Sequence, residues 1–149
     1  MRFLLLSLPL LWLILSEPLH AEEKMAIIVS ETTSSKDALS TEDLARIYRR
    51  KKLFWANGTP IVPLNLPVTH ALRRTFSRTV LSELPEEMDA YWSAQYFHGI
   101  SPPYVLASEE AVVEFVATTP GAIGYVNTTA VNSHVHVLLY LPLSAEKRP

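Results

Sequence analysis

Short apolar runs separated by polar turns predict the strands of this chain. A run of about four to eight apolar residues between turn signals is typical of a buried strand. The run Ile61–Leu64 follows Pro60 and contains Pro63. Since proline cannot donate to a neighbouring strand, we expect this run at an edge of the sheet. The four predicted strands are Met25–Val29, Ile61–Leu64, Ala122–Val126 and His134–Leu141.

Four segments with apolar residues at helical spacing lie between these strands. Ser40, Thr69 and Ser108 each precede one of them, where a hydroxyl can accept from a free amide of the first turn. Pro85 fits the first turn of the remaining segment, which should end near Gly99. The predicted inward faces are Leu44, Ile47 and Tyr48; Leu72, Phe76 and Val80; Met88, Tyr91 and Trp92; and Val112, Phe115 and Val116.

The alternation of strands and helices predicts the fold class. Strands interleaved with helices of about 10–14 residues favour an α/β domain, here with a mixed sheet flanked by helices. Asn57-Gly58 adds a tight-turn signal. We expect one domain over residues 22–143, and the pattern leaves the order of its strands open.

The N-terminus has the pattern of a secretory signal peptide. Arg2 supplies a positive charge, an uncharged apolar stretch follows, and Ala21 is a small residue at the cleavage position. The alternative is a retained membrane anchor, but the apolar run is about 13 residues and a spanning helix needs roughly 20. We therefore expect residues 1–21 to be removed, the mature protein to be periplasmic without a membrane span, and the tail 144–149 to be disordered.

Composition excludes several classes of protein. The 149-residue chain has no cysteine and a formal charge of −2. The missing cysteine rules out a disulfide framework and a lipid-anchored bacterial protein. The near-neutral charge argues against a nucleic-acid partner. The mature domain must therefore be held together by its hydrophobic core.

The sequence offers little support for an enzyme or a metalloprotein. His134 and His136 are two apart on a predicted strand and would share a face, but the spacing places no third ligand beside them. The chain lacks a Gly-x-Ser-x-Gly elbow and a Gly-rich phosphate loop. We expect no metal, no cofactor and no catalysis.

The start of the second predicted helix is the best candidate for binding. Free amides and the helix dipole make a helix N-terminus favourable for an anion. Thr69 adds a hydroxyl, His70 a ring N–H, and Arg73 or Arg74 a charged fork. The alternative is that Thr69 only caps the helix while the arginines keep the surface soluble.

Several stretches, in this order and spacing, resemble the phosphate-type periplasmic substrate-binding proteins of ABC transporters. Between about Leu39 and Val126 the chain matches their pattern, and the Pro120–Val126 stretch is the most specific part. The resemblance implies a type II periplasmic-binding-protein fold, in which two α/β lobes hold the ligand between them. This chain has half that length and resembles a single lobe. The stretches are Leu39–Leu44 with Ile47-Tyr48, Trp55–Gly58, Arg73–Phe76, Tyr91-Trp92 and Pro120–Val126.

The resemblance is incomplete at the ligand site. Before the Arg-x-x-Phe of the second helix the family has Ser-Gly-Thr, and here His70, Ala71 and Leu72 stand in those positions. Only Arg73 and the helix N-terminus carry over. The anion contacts we expect are therefore Thr69, His70 and Arg73.

Two functions follow from these expectations. The first is a non-catalytic solute-binding-like protein that binds phosphate or a related small anion and serves an ABC-type transporter. The alternative is a module that has lost its ligand and docks on a membrane transporter or sensor, or pairs with a second copy. An exposed apolar patch near Leu53, Phe54 and Trp55 would favour the alternative.

Overall fold

A computed structural model describes residues 23–33 and 38–143 of the chain. The predicted signal peptide 1–21 and the predicted tail 144–149 lie outside the described residues. The described part contains five strands and four α-helices. They are β1 (Lys24–Ser30), α1 (Thr41–Tyr48), β2 (Val62–Asn65), α2 (Ala71–Phe76), α3 (Asp89–Phe97), β3 (Tyr104–Val105), α4 (Glu109–Thr118), β4 (Ala122–Asn127) and β5 (Val135–Pro142).

The five strands form one mixed sheet in the order β3-β2-β4-β1-β5. β2 runs parallel to β3 and β4, whereas β1 runs antiparallel to β4 and β5. β1 is buried along nearly its whole length, as a central strand covered on both faces should be. The expected α/β class with a mixed sheet is confirmed.

The predicted edge position of β2 is wrong, because β2 lies between β3 and β4. The amide of Val62 donates to Gly121 O on the β4 side at 3.0 Å, so the nitrogen of Pro63 faces the β3 side. β3 first pairs at Leu64 and does not reach Pro63. The missing N–H of Pro63 therefore costs the sheet no hydrogen bond.

Helices cover both faces of the sheet. A Cβ on Gly124 would meet Val112 of α4, whereas the ring of Tyr125 stacks on Phe76 of α2 at 4.0 Å. Successive residues of a strand point to opposite faces. α4 therefore packs on one face, and α2 packs on the other.

The predicted hydroxyl caps at the starts of α1 and α4 are confirmed. Ser40 Oγ accepts from the Asp43 amide at 3.0 Å, and Ser108 Oγ accepts from the Ala111 amide at 3.2 Å. The inward face of α1 is as predicted. In α4, Phe115 was expected to be buried, but it is half-buried and Val113 is buried instead. The buried residues of the two helices are Leu44, Ile47, Tyr48, Val112, Val113 and Val116.

The second helix differs from the prediction at both ends. His70, not Thr69, caps α2. After Phe76 the α-helix widens into a π-helical turn over Ser77–Leu81. Val80 still reaches the core and is 6% exposed, so the apolar stripe is right although the regular helix is shorter than the stripe suggests.

The third helical segment begins with a 3₁₀ turn at Pro85–Met88 and continues as α3. The predicted stop is confirmed, since the Gly99 amide donates to Tyr96 O and Gly99 has a φ of +72°. Met88 is buried, but α3 itself has no fully buried residue. This helix therefore lies at the periphery of the core.

The C-terminal half holds three further differences. β3 was not predicted, because two exposed residues carry no periodic signal. β5 begins at Val135, which leaves His134 in the preceding turn. A register irregularity opposite Ile27 and Ile28 also interrupts the expected alternation in β5. Val135 is buried, while the other two predicted inward residues are half-buried.

Candidate functional site

The loop between β2 and α2 positions the predicted site. The His70 amide donates to Pro67 O at 2.9 Å and closes a tight turn. Thr69 lies within this turn and is exposed. Because the helix begins only after the turn closes, Thr69 is too early in the chain to cap it.

His70 caps α2 through its ring. Nδ1 of His70 accepts from the Leu72 amide at 3.2 Å, which places the proton of a neutral ring on Nε2. The ring is partly exposed. The start of α2 therefore presents one imidazole N–H, together with the Ala71 amide that precedes the first intrahelical bond.

The Arg73 guanidinium is held over the carboxyl end of β2. Nη1 donates to Leu66 O at 3.0 Å, and Nε donates to Ser77 Oγ at 3.3 Å. Two of its nitrogens are thus anchored to the protein. The charge is therefore fixed in place.

Beneath Arg73 lies a buried polar network that the sequence analysis did not assign to the site. The Tyr125 hydroxyl donates to Asn65 Oδ1 at 3.0 Å and accepts from the Leu66 amide at 3.2 Å. Burial raises the pKa of Tyr125 to about 12, while the Arg73 charge acts in the opposite direction. The available signal was a polar residue, Asn65, at the end of a buried strand.

Arg74 is directed away from this site. Its guanidinium forms a two-pronged pair with the Glu86 carboxylate, with distances of 2.9 and 3.1 Å. The hydrogen bond from Arg74 lowers the pKa of Glu86. Of the two arginines considered for the anion, only Arg73 lies beside the end of β2.

A cleft of about 320 Å³ opens at the start of α2. His70 lines it, whereas Thr69 and Arg73 are not among its lining residues. Two carboxylates face the same space, and one of them, Glu109, accepts from the Asn127 amide. The lining residues are Glu23, His70, Ala71, Leu72, Thr75, Glu109, Asn127 and Leu143. The cleft therefore combines a helix start with two negative charges.

The histidine pair does not form the strand site considered from the sequence. His134 precedes β5 and His136 lies within it, so the two do not occupy alternate positions of one strand. Within residues 23–33 and 38–143, no three side chains of His, Cys, Asp or Glu are grouped to hold a metal ion.

None of the helices in the described part of the chain is both long and apolar enough to cross a bilayer.

Comparison with solved structures identifies the fold. An ABC-type phosphate transport receptor from Vibrio cholerae matches with a TM-score of 0.63 and 17% identity, over 78% of this chain and 45% of the receptor. PstS from Borrelia burgdorferi matches with a TM-score of 0.60, 17% identity and coverages of 78% and 46%. A Clostridium perfringens protein with bound phosphate, described as a phosphate ABC transporter substrate-binding protein, matches with a TM-score of 0.62 and 19% identity. The match covers 78% of this chain and 44% of that protein.

The resemblance expected from the motifs is thereby confirmed at the level of the fold. This chain has the α/β fold of part of a periplasmic substrate-binding protein and spans less than half the length of these neighbours. No protein-family model matches the sequence, and no curated protein does.

Proposed function

We propose that the chain is an exported, non-catalytic, solute-binding-like protein that binds phosphate or a related small anion at the start of α2. The observation that carries this proposal is the cleft beside His70, where α2 begins in a fold shared with phosphate-binding neighbours. Residues 22–143 form the proposed domain, residues 1–21 direct it to the periplasm, and the partner is an ABC-type transporter.

Each of the three proposed site residues has its own proposed role. His70 Nε2 and the Ala71 amide donate to the anion from the cleft wall. Arg73 supplies a fixed counter-charge from the end of β2. Thr69, exposed in the turn, donates only to an anion that extends out of the cleft.

The two carboxylates of the cleft limit this function. Glu23 and Glu109 repel an anion, and a single lobe leaves the site open to water, which weakens each contact. We therefore propose weak binding that depends strongly on ionic strength.

Thermal unfolding of the purified protein, measured against increasing phosphate or sulfate, tests the proposal. A ligand that binds only the folded state stabilises it by about 2.7 kcal/mol at a hundredfold excess over Kd. We expect a saturable rise in Tm with one anion. The ligand-induced rise should shrink in Arg73→Gln, which removes the counter-charge, and persist in Arg78→Gln, an exposed neighbour that loses the same charge.

The absence of any saturable rise at millimolar anion would contradict anion binding and favour the second candidate, a docking module. That candidate has its own support in large exposed apolar side chains. Phe54 is 57% exposed, although its neighbour Trp55 is buried. Tyr96 and Phe97 at the end of α3 are 74% and 87% exposed. A transporter, a membrane sensor or a second copy of the chain would be the partner.

A further inference from the structure

Arg50 has an unusual backbone conformation at the end of α1. Its φ is +60°, in the left-handed region where a side chain is strained. The Arg50 amide donates to Ile47 O at 3.0 Å and the Lys51 amide to Arg46 O at 2.8 Å. This pair of bonds is the helix ending that favours glycine at the position of Arg50. A strained residue of this kind is a reason to ask what its side chain does.

The Arg50 side chain is incompletely satisfied. Nη1 donates to Ile61 O at 3.2 Å, but Nε is buried and has no hydrogen-bond partner among the described residues. Three neighbouring cations, Arg46, Arg49 and Lys52, each lie within 4.0 Å of a carboxylate. Arg50 has no such carboxylate in residues 23–33 and 38–143. A buried N–H without a partner is rare and unfavourable.

The side chain of Arg50 lines a groove of about 300 Å³ with largely apolar walls. Tyr104 stands on one side and is 67% exposed. The remaining lining residues are Pro60, Ile61, Val62, Pro63, Ser101, Pro102 and Pro103. A small apolar groove with one charged group in its wall is typical of a site for a compact organic ligand.

This groove is separate from the cleft beside His70. It lies at Val62 and Pro63, where β2 begins, whereas His70 follows the end of β2. Ligand binding at one site can therefore be measured independently of the other.

We propose that this groove binds a carboxylate carried by a compact apolar body. A guanidinium matches a carboxylate in a two-pronged arrangement. Nε is buried, so the Arg50 side chain would have to turn toward the groove to bring Nε and Nη2 to the two carboxylate oxygens. The apolar part of the ligand packs on the proline rings and on Tyr104. The carboxylate comes either from a free organic acid or from an acidic side chain of another protein.

The test is a titration of the full purified protein with benzoate, with benzamide as its neutral counterpart, followed by NMR. We expect saturable shifts of residues around the groove with benzoate. Benzamide should bind about tenfold or more weakly, the factor that a charge-assisted hydrogen bond supplies. Arg50→Lys keeps the charge without the fork and should bind benzoate with intermediate affinity.

Arg50→Gly is the decisive variant because it separates binding from folding. Glycine accepts the positive φ without strain, so the variant should unfold at the same temperature as the wild type or higher while losing benzoate binding. Two control variants should keep benzoate binding. Lys51→Gln removes an exposed charge at the next residue in the chain, and Arg73→Gln changes the other proposed site. Equal affinity for benzoate and benzamide, or full benzoate affinity in Arg50→Gly, would overturn the proposal.

A capped Leu-Asp-Phe peptide and its Leu-Asn-Phe counterpart distinguish the two sources of the carboxylate. Tighter binding of the Asp peptide than of benzoate, lost with Asn, would indicate an acidic protein partner. Binding of benzoate at least as tight as that of the Asp peptide would indicate a free acid. Failure of both carboxylates to bind would overturn the proposal.

Discussion

At the scale of single residues, two glycines explain the most specific stretch of the sequence, Pro120–Val126. Gly121 has a φ of +82°, and a Cβ there would lie 2.2 Å from Pro60 O. A Cβ on Gly124 would lie 2.5 Å from Val112 Cγ1. Tyr125 directly follows Gly124, and its hydroxyl donates to Asn65 Oδ1 in the buried polar network. This stretch therefore serves a tight turn and close helix packing, and only Tyr125 reaches the candidate site.

Gly124→Ala should lower the free energy of unfolding by about 1–3 kcal/mol, because a methyl group there forces α4 away from β4. Urea denaturation measures the change. Val112→Ala removes the methyl groups that face Gly124. In the double variant, the loss of unfolding free energy should therefore be smaller than the sum of the losses in the two single variants. Strict additivity would show that the contact between Gly124 and Val112 is not the cause of the destabilisation.

Glu109→Gln should strengthen anion binding at the cleft beside His70. The amide oxygen of glutamine can still accept from the Asn127 amide, while the negative charge is removed. We expect an affinity about two- to tenfold higher at low ionic strength, with the difference shrinking as salt is added. Anion titration of the variant measures it.

The matched control for this effect is Glu110→Gln. Glu110 lies in the same first turn of α4 but lines a different groove, beside His134. An equal gain in the two variants would mean that net charge, and not the cleft, determines the affinity.

At the scale of elements, an aromatic cluster joins the helices of one face to the sheet. Phe76 of α2 stacks on Tyr125 of β4, and the ring of Tyr48 in α1 lies 4.5 Å from Phe76. The Tyr48 hydroxyl donates to Leu64 O at 2.9 Å. Because both tyrosine hydroxyls are buried and hydrogen-bonded, α1 and α2 are fixed against the ends of β2 and β4, where the candidate site lies.

This cluster should make the protein less stable at alkaline pH. Burial raises the pKa of Tyr125 to about 12 and raises that of Tyr48 as well, whereas an unfolded tyrosine ionises near pH 10. The folded state keeps protons that the unfolded chain has lost. The free energy of unfolding is thus unaffected by these groups below about pH 10 and falls between about pH 10 and 12, by roughly 2–3 kcal/mol for Tyr125.

Urea denaturation at pH 8, 9.5, 10.5 and 11 measures the slope. Tyr125→Phe keeps the stacking and should reduce the alkaline slope, whereas Tyr104→Phe, at an exposed position, should keep the wild-type slope. Identical slopes in both variants would contradict the assignment of this pH dependence to the cluster.

At the scale of the whole molecule, the described chain is one α/β unit less than half as long as its structural neighbours. Its core is continuous from β1 through β4 to the helices on both faces. α3 contributes no fully buried residue and carries exposed aromatic side chains. Stability should therefore be unevenly distributed, greatest in the central strands and least in α3.

Hydrogen exchange of the native protein should show this gradient. Amides of β1 and β4 should exchange only through global unfolding, while those of α3 should exchange through local opening, since few buried contacts hold this helix. Binding of a partner to the exposed aromatic side chains would selectively slow exchange in α3. Equal protection of α3 and β1 in the free protein would contradict the peripheral role of α3.

Much of the architecture was predictable from local patterns. Ser40 and Ser108 identified two helix starts because a cap depends only on its neighbours in the chain. The stripe of Leu72, Phe76 and Val80 identified a buried face even where the helix widens. Local patterns failed for Thr69, because the turn closed by His70 delays the start of α2, and for β3, which has only two residues.

The sequence alone determined which segments form strands and helices, the α/β class and the likeness to phosphate-type binding proteins, because these depend on periodicity and on motifs contiguous in the chain. Only the tertiary structure decided that β2 is internal, that Arg73 is anchored to Leu66 O, and that Glu109 shares a cleft with His70. It alone showed that Arg50 lies beside an apolar groove and, among the described residues, has no carboxylate within 4.0 Å. These features join residues distant in sequence, and a hydrogen bond or an unpaired charge between such residues exists only once the chain has folded.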